Sequence, residues 1–422
     1  MITSAVRLHG ENDLRLDHFE LPPIAEDEIL VSIISDSICM SSYKAAIQGS
    51  RHKRVPDDIS EHPVIIGHEF SGEIVEVGEK WKSQFKPGDR YAIQPALNYM
   101  GSMDSPGYSF RYCGGAATYC ILPHQVMELG CLLPYDGDGF FLASLAEPMS
   151  CIIGAFHASF HTQAGIYQHN MGIKPGGRMA ILAGAGPMGL GAVDYAMHGG
   201  IKPSQLIVTD ISDERLERAR SLFPAEKAAG EAIDLRFINT AAMADPAAEL
   251  IALTGGSGYD DVLAFAPVRA VCELADQILG HDGCLNFFAG PVDTKFSASL
   301  NYYNVHYNAT HVIGTTGGNT DDMRESLELS SALIINPAVM VTHIGGLDSA
   351  SEATLHLPQI PGGKKLIYTG ISMPLTSIDE FAGLGEGDPL FAELSSICNR
   401  HNGLWNAEAE KYLLANASPI LA

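Results

Sequence analysis

Four side chains in the first 150 residues carry atoms that bind transition metals: the Cys39 thiol, the His68 imidazole, and the carboxylates of Glu69 and Glu147. A thiolate, an imidazole and a carboxylate, with one position left for water, make the donor set of a catalytic zinc site. Cys39 closes the apolar run "DEILVSIISDSIC". His68 and Glu69 stand between "PVII" and "FSGEIVEVG", and Glu147 lies in "SLAEPMSC", where Pro148 can open a helix. Spacing alone leaves a second reading open. His68 would then be a hydrogen-bonded core histidine, Cys39 a small buried hydrophobe, and Glu147 an acid at a helix N-terminus.

A second constellation is contiguous. Gly184-Ala185-Gly186-Pro187-Met188-Gly189 fits G-x-G-x-x-G, a weak signal in a chain with 43 glycines. Context strengthens it, because an apolar strand precedes it, a helix is predicted from Pro187 to Gly199-Gly200, and Asp210 ends the next strand. Such a turn lets the backbone approach a pyrophosphate at a helix N-terminus, where free N–H groups and the helix dipole favour an anion. Asp210 would accept hydrogen bonds from ribose hydroxyls and repel a 2′-phosphate, which points to NAD. Arg215, one turn on, keeps NADP open.

The elements that must hold these groups fall into two kinds. Up to about residue 155 the chain reads as short strands and turns, all-β material suited to a small barrel: "DEILVSIISDSIC", "GEIVEVG", "KPGDRYAIQ" and "GGAATYCILP". From Gly176 strands alternate with helices, and "AIDLRFI", "DDVLAFA", "GCLNFFAG" and "HVIGTT" add strand candidates. That rhythm predicts a doubly wound parallel sheet, an α/β fold in which a β domain is interrupted by a dinucleotide-binding domain.

Composition narrows the function classes. The 422 residues are 46% apolar and 18% charged, enough to bury large cores, with a net charge of −24. So acidic a chain excludes nucleic acid and anionic membranes as expected partners, while a small anion would need a local basic patch. No apolar run spans a membrane, and eight scattered cysteines without a C-x-x-C pair suit reduced thiols, so a cytoplasmic enzyme is expected.

"GHEFSGEIVEVG", "KPGDRYAI", the glycine turn and "HVIGTTGGNTDDM…VTHIGGL" occur in the order found in the zinc-dependent medium-chain alcohol dehydrogenases. The chain resembles that family over about residues 1 to 370, and "AEPMSC" resembles its polyol dehydrogenases, whose third ligand is a glutamate. The spacer "HASFHTQAGIYQHNMGIKPGG" and the long C-terminus resemble a branch acting on ketose phosphates. The resemblance implies a GroES-like catalytic barrel of residues 1–156 and 310–422, the latter including the C-terminal extension, around a Rossmann-type domain of residues 157–309. It implies Cys39 and His68 as zinc ligands, with Glu69 and Glu147 competing for the remaining position, one on the metal and the other behind its water. Ser41 matches the family hydroxyl that hydrogen-bonds the substrate oxygen. The implied reaction is hydride transfer between NAD(P)(H) and a polyol or sugar phosphate, in a homodimer or homotetramer built by pairing "HVIGTT" across a two-fold axis.

Two departures matter. The four cysteines that hold a structural zinc in relatives are missing, since "PALNYMGSMDSPGYSFRYCGG" offers only Cys113, so one catalytic zinc and no structural zinc are expected. Lys44 replaces the histidine that ends a proton relay. Lys44, Arg51, His52, Lys53 and Arg54 instead form a basic stretch in an acidic chain, with Lys44, Arg51, Lys53 and Arg54 candidate ligands for a substrate phosphate and Arg111 a weaker one. A solvated basic loop remains the plain alternative. Competing functions are a dehydrogenase of unphosphorylated polyols, a zinc-free quinone or enoyl reductase, and a non-catalytic nucleotide-binding protein.

Overall fold

The computed structural model describes residues 1–163 and 165–420; Ala164, in the spacer, and the last two residues of the C-terminal extension lie outside them. The chain divides into two units. One takes residues 1–147, 326–332 and 341–422, and the other residues 148–325 and 333–340.

The first unit is built on an eight-stranded sheet. The strands follow the order Thr376–Ser377, Val341–Gly346, Lys364–Tyr368, Ile29–Ile38, Phe70–Val77, Arg90–Ile93 and Leu132–Pro134, with Tyr119–Leu122 also pairing to Ile29–Ile38. The four strands expected from sequence are all present. Their apolar faces enclose a core of Ile29, Val31, Ile33, Phe70, Ile74, Tyr91 and Ile93. A three-stranded sheet of Asp13–Glu20, Ile2–Gly10 and Val64–Ile65 adjoins it in sequence. The segment is not all-β, however. Helices Met40–Gln48 and Phe140–Ser144 interrupt it; the first buries only three of its nine residues and the second all five, so neither shows the apolar periodicity of a helix in sequence.

In the second unit six parallel strands run in the order Asp234–Asn239, Gln205–Asp210, Arg178–Leu182, Tyr259–Ala264, Leu279–Phe287 and His311–Gly314. This is a doubly wound order, and its last strand lies beyond residue 309, where sequence reading ended the domain. The helix Pro187–His198 begins at its proline and stops at Gly199, and Ser212 caps Asp213–Leu222 by accepting the Arg215 N–H at 3.3 Å. The spacer contributes an antiparallel hairpin of Phe160–Gln163 and Ile166–Met171. Among the described residues no helix is long and apolar enough to cross a membrane.

Candidate metal centre and nucleotide-binding turn

Cys39 is the last extended residue before the helix Met40–Gln48, so its thiol projects from the junction where Ile29–Ile38 ends. His68 and Glu69 follow a backward turn at Gly67, whose φ of +97° favours glycine and whose added Cβ would lie 2.7 Å from the Ala116 backbone nitrogen. The turn ends two residues before Ser71, which pairs with Ser35 of the cysteine's strand. Cys39, His68 and Glu69 thereby come together, with one ligand atom of each within 4.8 Å of the others.

Hydroxyl groups order this cluster. Ser41 Oγ donates to Cys39 Sγ at 3.0 Å and lies 3.4 Å from His68 Nε2. Tyr108 donates to Ser41 Oγ at 2.7 Å, and its hydroxyl is 3.3 Å from the same His68 nitrogen. Ser42 Oγ stands 3.3 Å from His68 Nδ1. The Tyr108 ring leans on the imidazole with centroids 4.9 Å apart.

Glu69 has a partner that sequence reading did not supply. Both its carboxylate oxygens accept from the Nζ of Lys364, at 2.6 Å for Oε1. The two side chains are almost fully buried. Lys364 arrives on a strand paired with the cysteine's own, through Lys365 opposite Ile38. Asp36 is buried there as well; burial, then the Glu69 charge, pushes its carboxyl well above the usual range.

The electrostatics suit a cation. Burial, aided by Glu69, pushes the Cys39 thiol up to about 12, and burial pushes His68 down to about 4, leaving the imidazole neutral. For Glu69 burial works upward, but Lys364 and then His68 outweigh it and hold the carboxylate below its usual range. Lys364 is raised by Glu69 and Cys39 against the effect of burial. A neutral imidazole beside a thiol that lacks only a cation to ionise it is a donor set that fits zinc. Glu147, in the first turn of the helix Ala146–Ala158, does not join the three-residue cluster, yet its charge acts on Cys39, Lys364 and Tyr108.

The segment leading to Glu147 is held by the C-terminal extension. Glu410 accepts the N–H groups of Phe140 and Phe141 at 2.6 and 2.9 Å and the Tyr368 hydroxyl at 2.8 Å. Trp405 donates to Tyr368 at 2.7 Å. The extension, unexplained by sequence, thus docks on the first unit through a buried network.

The basic stretch is split. Lys44 sits half-buried, one helical turn after Ser41. Lys53 and Arg54, with Lys44, act on His52, while Arg54 stands over the Tyr108 ring. Arg51 does not join them: its side chain turns to the surface and pairs with Glu11 at 2.7 Å. Arg111 is likewise elsewhere, on Tyr112 and 3.3 Å from His62.

In the second unit the glycine turn links Arg178–Leu182 to Pro187–His198, with Gly186 as N-cap, Pro187 in the first helical position and Met188 following it. Gly189 packs on Gly184, whose carbonyl a Cβ at 189 would strike. Asp210 closes its strand and accepts N–H groups from Ile211 at 2.8 Å, Ser212 at 3.1 Å and Ala185 of the turn at 3.3 Å. The carboxylate expected to face a ribose therefore also ties strand to turn. Arg215 is exposed on the helix behind.

Residues 25–130 match the alcohol dehydrogenase GroES-like domain and residues 187–332 the zinc-binding dehydrogenase domain. The chain is 55% identical to mannitol-1-phosphate 5-dehydrogenase of Aliivibrio fischeri over 412 residues, 98% of this chain and 97% of that one. It is 50% identical to L-sorbose 1-phosphate reductase of Klebsiella pneumoniae over 418 residues, 99% and 98% of the two chains. The chain belongs to the zinc-binding alcohol dehydrogenase family. The crystal structure of 2R,3R-butanediol dehydrogenase from Bacillus subtilis shares the fold of this family member, with a TM-score of 0.71 at 22% identity over 87% of this chain and 99% of that one. As a member of this family it is an oxidoreductase.

Proposed function

We propose that this oxidoreductase moves hydride between NAD(H) and a polyol phosphate or its ketose phosphate, with L-sorbose 1-phosphate and D-glucitol 6-phosphate the first pair to test. The observation that carries the reading is the half-buried Cys39 beside the buried His68 with the Ser41 hydroxyl upon them, in a chain alike throughout to two relatives named for sugar phosphates. Zinc at this cluster supplies Lewis acidity toward an alcohol or carbonyl oxygen. Cys39 and His68 would hold it, and the engagement of both Glu69 oxygens by Lys364 favours Glu147 as the third protein donor. Ser41 Oγ, which accepts the Tyr108 O–H and itself donates to Cys39 Sγ, keeps a lone pair that can accept a hydrogen bond from the substrate hydroxyl. Asp210 favours NAD over NADP, and Gly184, Gly186 and Gly189 with the first turn at Pro187 and Met188 form the pyrophosphate cradle.

Eight scattered cysteines without a C-x-x-C pair accord with a cytoplasmic setting, and the edge strand His311–Gly314, with Val312 exposed, is available for pairing in a homodimer or homotetramer. Metal analysis of purified protein should give about one zinc per chain. Ketose 1-phosphates and free ketoses, each assayed with NADH and NADPH, test the rest. Faster reduction of the phosphate with NADH is expected; no turnover of any sugar phosphate with either nucleotide overturns the reading.

A further inference from the structure

The part of the basic stretch that stays beside the candidate metal centre is organised around one aromatic ring. The Arg54 guanidinium carbon lies 5.4 Å from the Tyr108 centroid, and His52 stacks on the same ring at 5.8 Å with planes 13° apart. Tyr108 is itself buried, with its hydroxyl 3.3 Å from His68 Nε2. The Arg54 backbone is fixed on both sides, since its N–H meets His52 Nδ1 at 3.4 Å and its carbonyl accepts from Ser109 Oγ at 2.7 Å. Arg54 Nε is buried and finds no hydrogen-bond acceptor among the described residues. A buried guanidinium N–H without an acceptor costs free energy unless a ligand supplies one.

What surrounds Arg54 is also donor-rich. His52 Nδ1, in accepting the Arg54 N–H, leaves its other nitrogen as a donor. Burial, followed by Arg54, Lys53 and Lys44, pushes this imidazole down to about 4, so it is neutral at physiological pH. No acidic residue occurs from Lys44 to Arg54, in a chain whose net charge is −24. Tyr108 spans the distance between the two chemistries, with its hydroxyl at His68 and its ring under the guanidinium. A short phosphorylated polyol has the same layout, a reacting hydroxyl at one point and a phosphomonoester a few bonds away.

We propose that Arg54, mounted on the Tyr108 ring and assisted by Lys53 and His52, is the specificity-determining residue that binds the substrate's phosphate. The proposal rests on the reading of this site as one for sugar phosphates and adds which residue recognises the phosphate. A guanidinium suits the task because its fork can pair two phosphate oxygens at once.

Two measurements on the zinc-loaded full chain test it. Calorimetric titration with inorganic phosphate should show Arg54→Gln binding about ten- to a hundredfold more weakly than wild type, the loss expected for charge-assisted hydrogen bonds. The ratio of kcat/KM for D-glucitol 6-phosphate to that for D-glucitol, measured with NAD, should fall by a similar factor in Arg54→Gln. Arg54→Lys, which keeps the charge and loses the fork, should fall between, and it serves if the glutamine variant does not fold. Unchanged phosphate affinity overturns the assignment, as does an equal loss for both substrates. A wild-type chain that binds phosphate through Arg54 yet turns over neither substrate upholds the phosphate site and removes the proposed activity instead.

Discussion

The nucleotide turn uses six consecutive residues and one acid on the next strand, whereas the candidate metal centre draws on Cys39, Ser41, His68, Tyr108, Glu147 and Lys364. The turn works through backbone: N–H groups at a helix start and glycines that let chains approach. The centre works through buried and half-buried side chains brought together from separate segments of the chain. The difference lies in where failure would be costly. A backbone site fails when a Cβ intrudes, and a buried polar site fails when one partner is removed and the other is left charged.

Lys364 gives the sharpest break. Lys364→Met would leave the Glu69 carboxylate buried without its cation, at a cost of about 3–5 kcal/mol. Urea unfolding of the metal-free protein should show that loss. Glu69→Leu combined with Lys364→Met should recover most of it, because a packed apolar pair is often as stable as a buried ion pair. If the double variant is no better than the single one, the pair is not the unit that stabilises this site.

The same contrast explains what was legible in the residue order. The nucleotide turn was readable because strand, glycines, helix and acid are local, and both sheets' main strands followed from their apolar runs. His68 and Glu69 stood out because an imidazole and a carboxylate interrupt apolar residues. Lys364 and Tyr108 gave no local sign of their role. Lys364 is 295 positions from Glu69 and meets it only through strand pairing, and its one signal was a lysine pair opening an apolar run. Tyr108 lies in a turn-rich lobe, and its neighbour Gly107 packs on Gly67, a crossing that no spacing reveals. Arg51 parts from Arg54 for the converse reason: only two residues separate them, but their side chains leave in different directions.

A smaller effect is expected from the turn. Gly189→Ala would press a methyl group on the Gly184 carbonyl, an overpacking that costs about 1–3 kcal/mol. Fluorescence titration should show NADH affinity falling by about tenfold or more as the turn opens, since each 1.4 kcal/mol is a factor of ten. Zinc content should stay at the wild-type level. Loss of zinc together with NADH binding would mean that the two sites are not built independently.

The smallest effect separates the units by pH. In the first, burial pushes His52 and His343 down to about 4, so the folded state holds the neutral form of groups that titrate near 6.5 when unfolded. Stability there should fall as pH drops from about 6.5 toward 4, where the unfolded chain binds protons that the folded one refuses. In the second unit His157 and His198 are raised by hydrogen bonds to Asp322 and Asp194. Their contribution is complete below about 6.5 and is lost as pH rises through the folded values. Amide exchange measured from pH 5 to 8 should therefore show protection in residues 1–147 rising with pH relative to residues 148–325, once the intrinsic exchange rate is divided out. Parallel profiles would mean that aspartate pairing and burial do not set these histidines apart. His157→Gln and His198→Gln together should weaken the response of the second unit alone, with His161, which burial would lower but its bond to Asp261 also raises, supplying what remains.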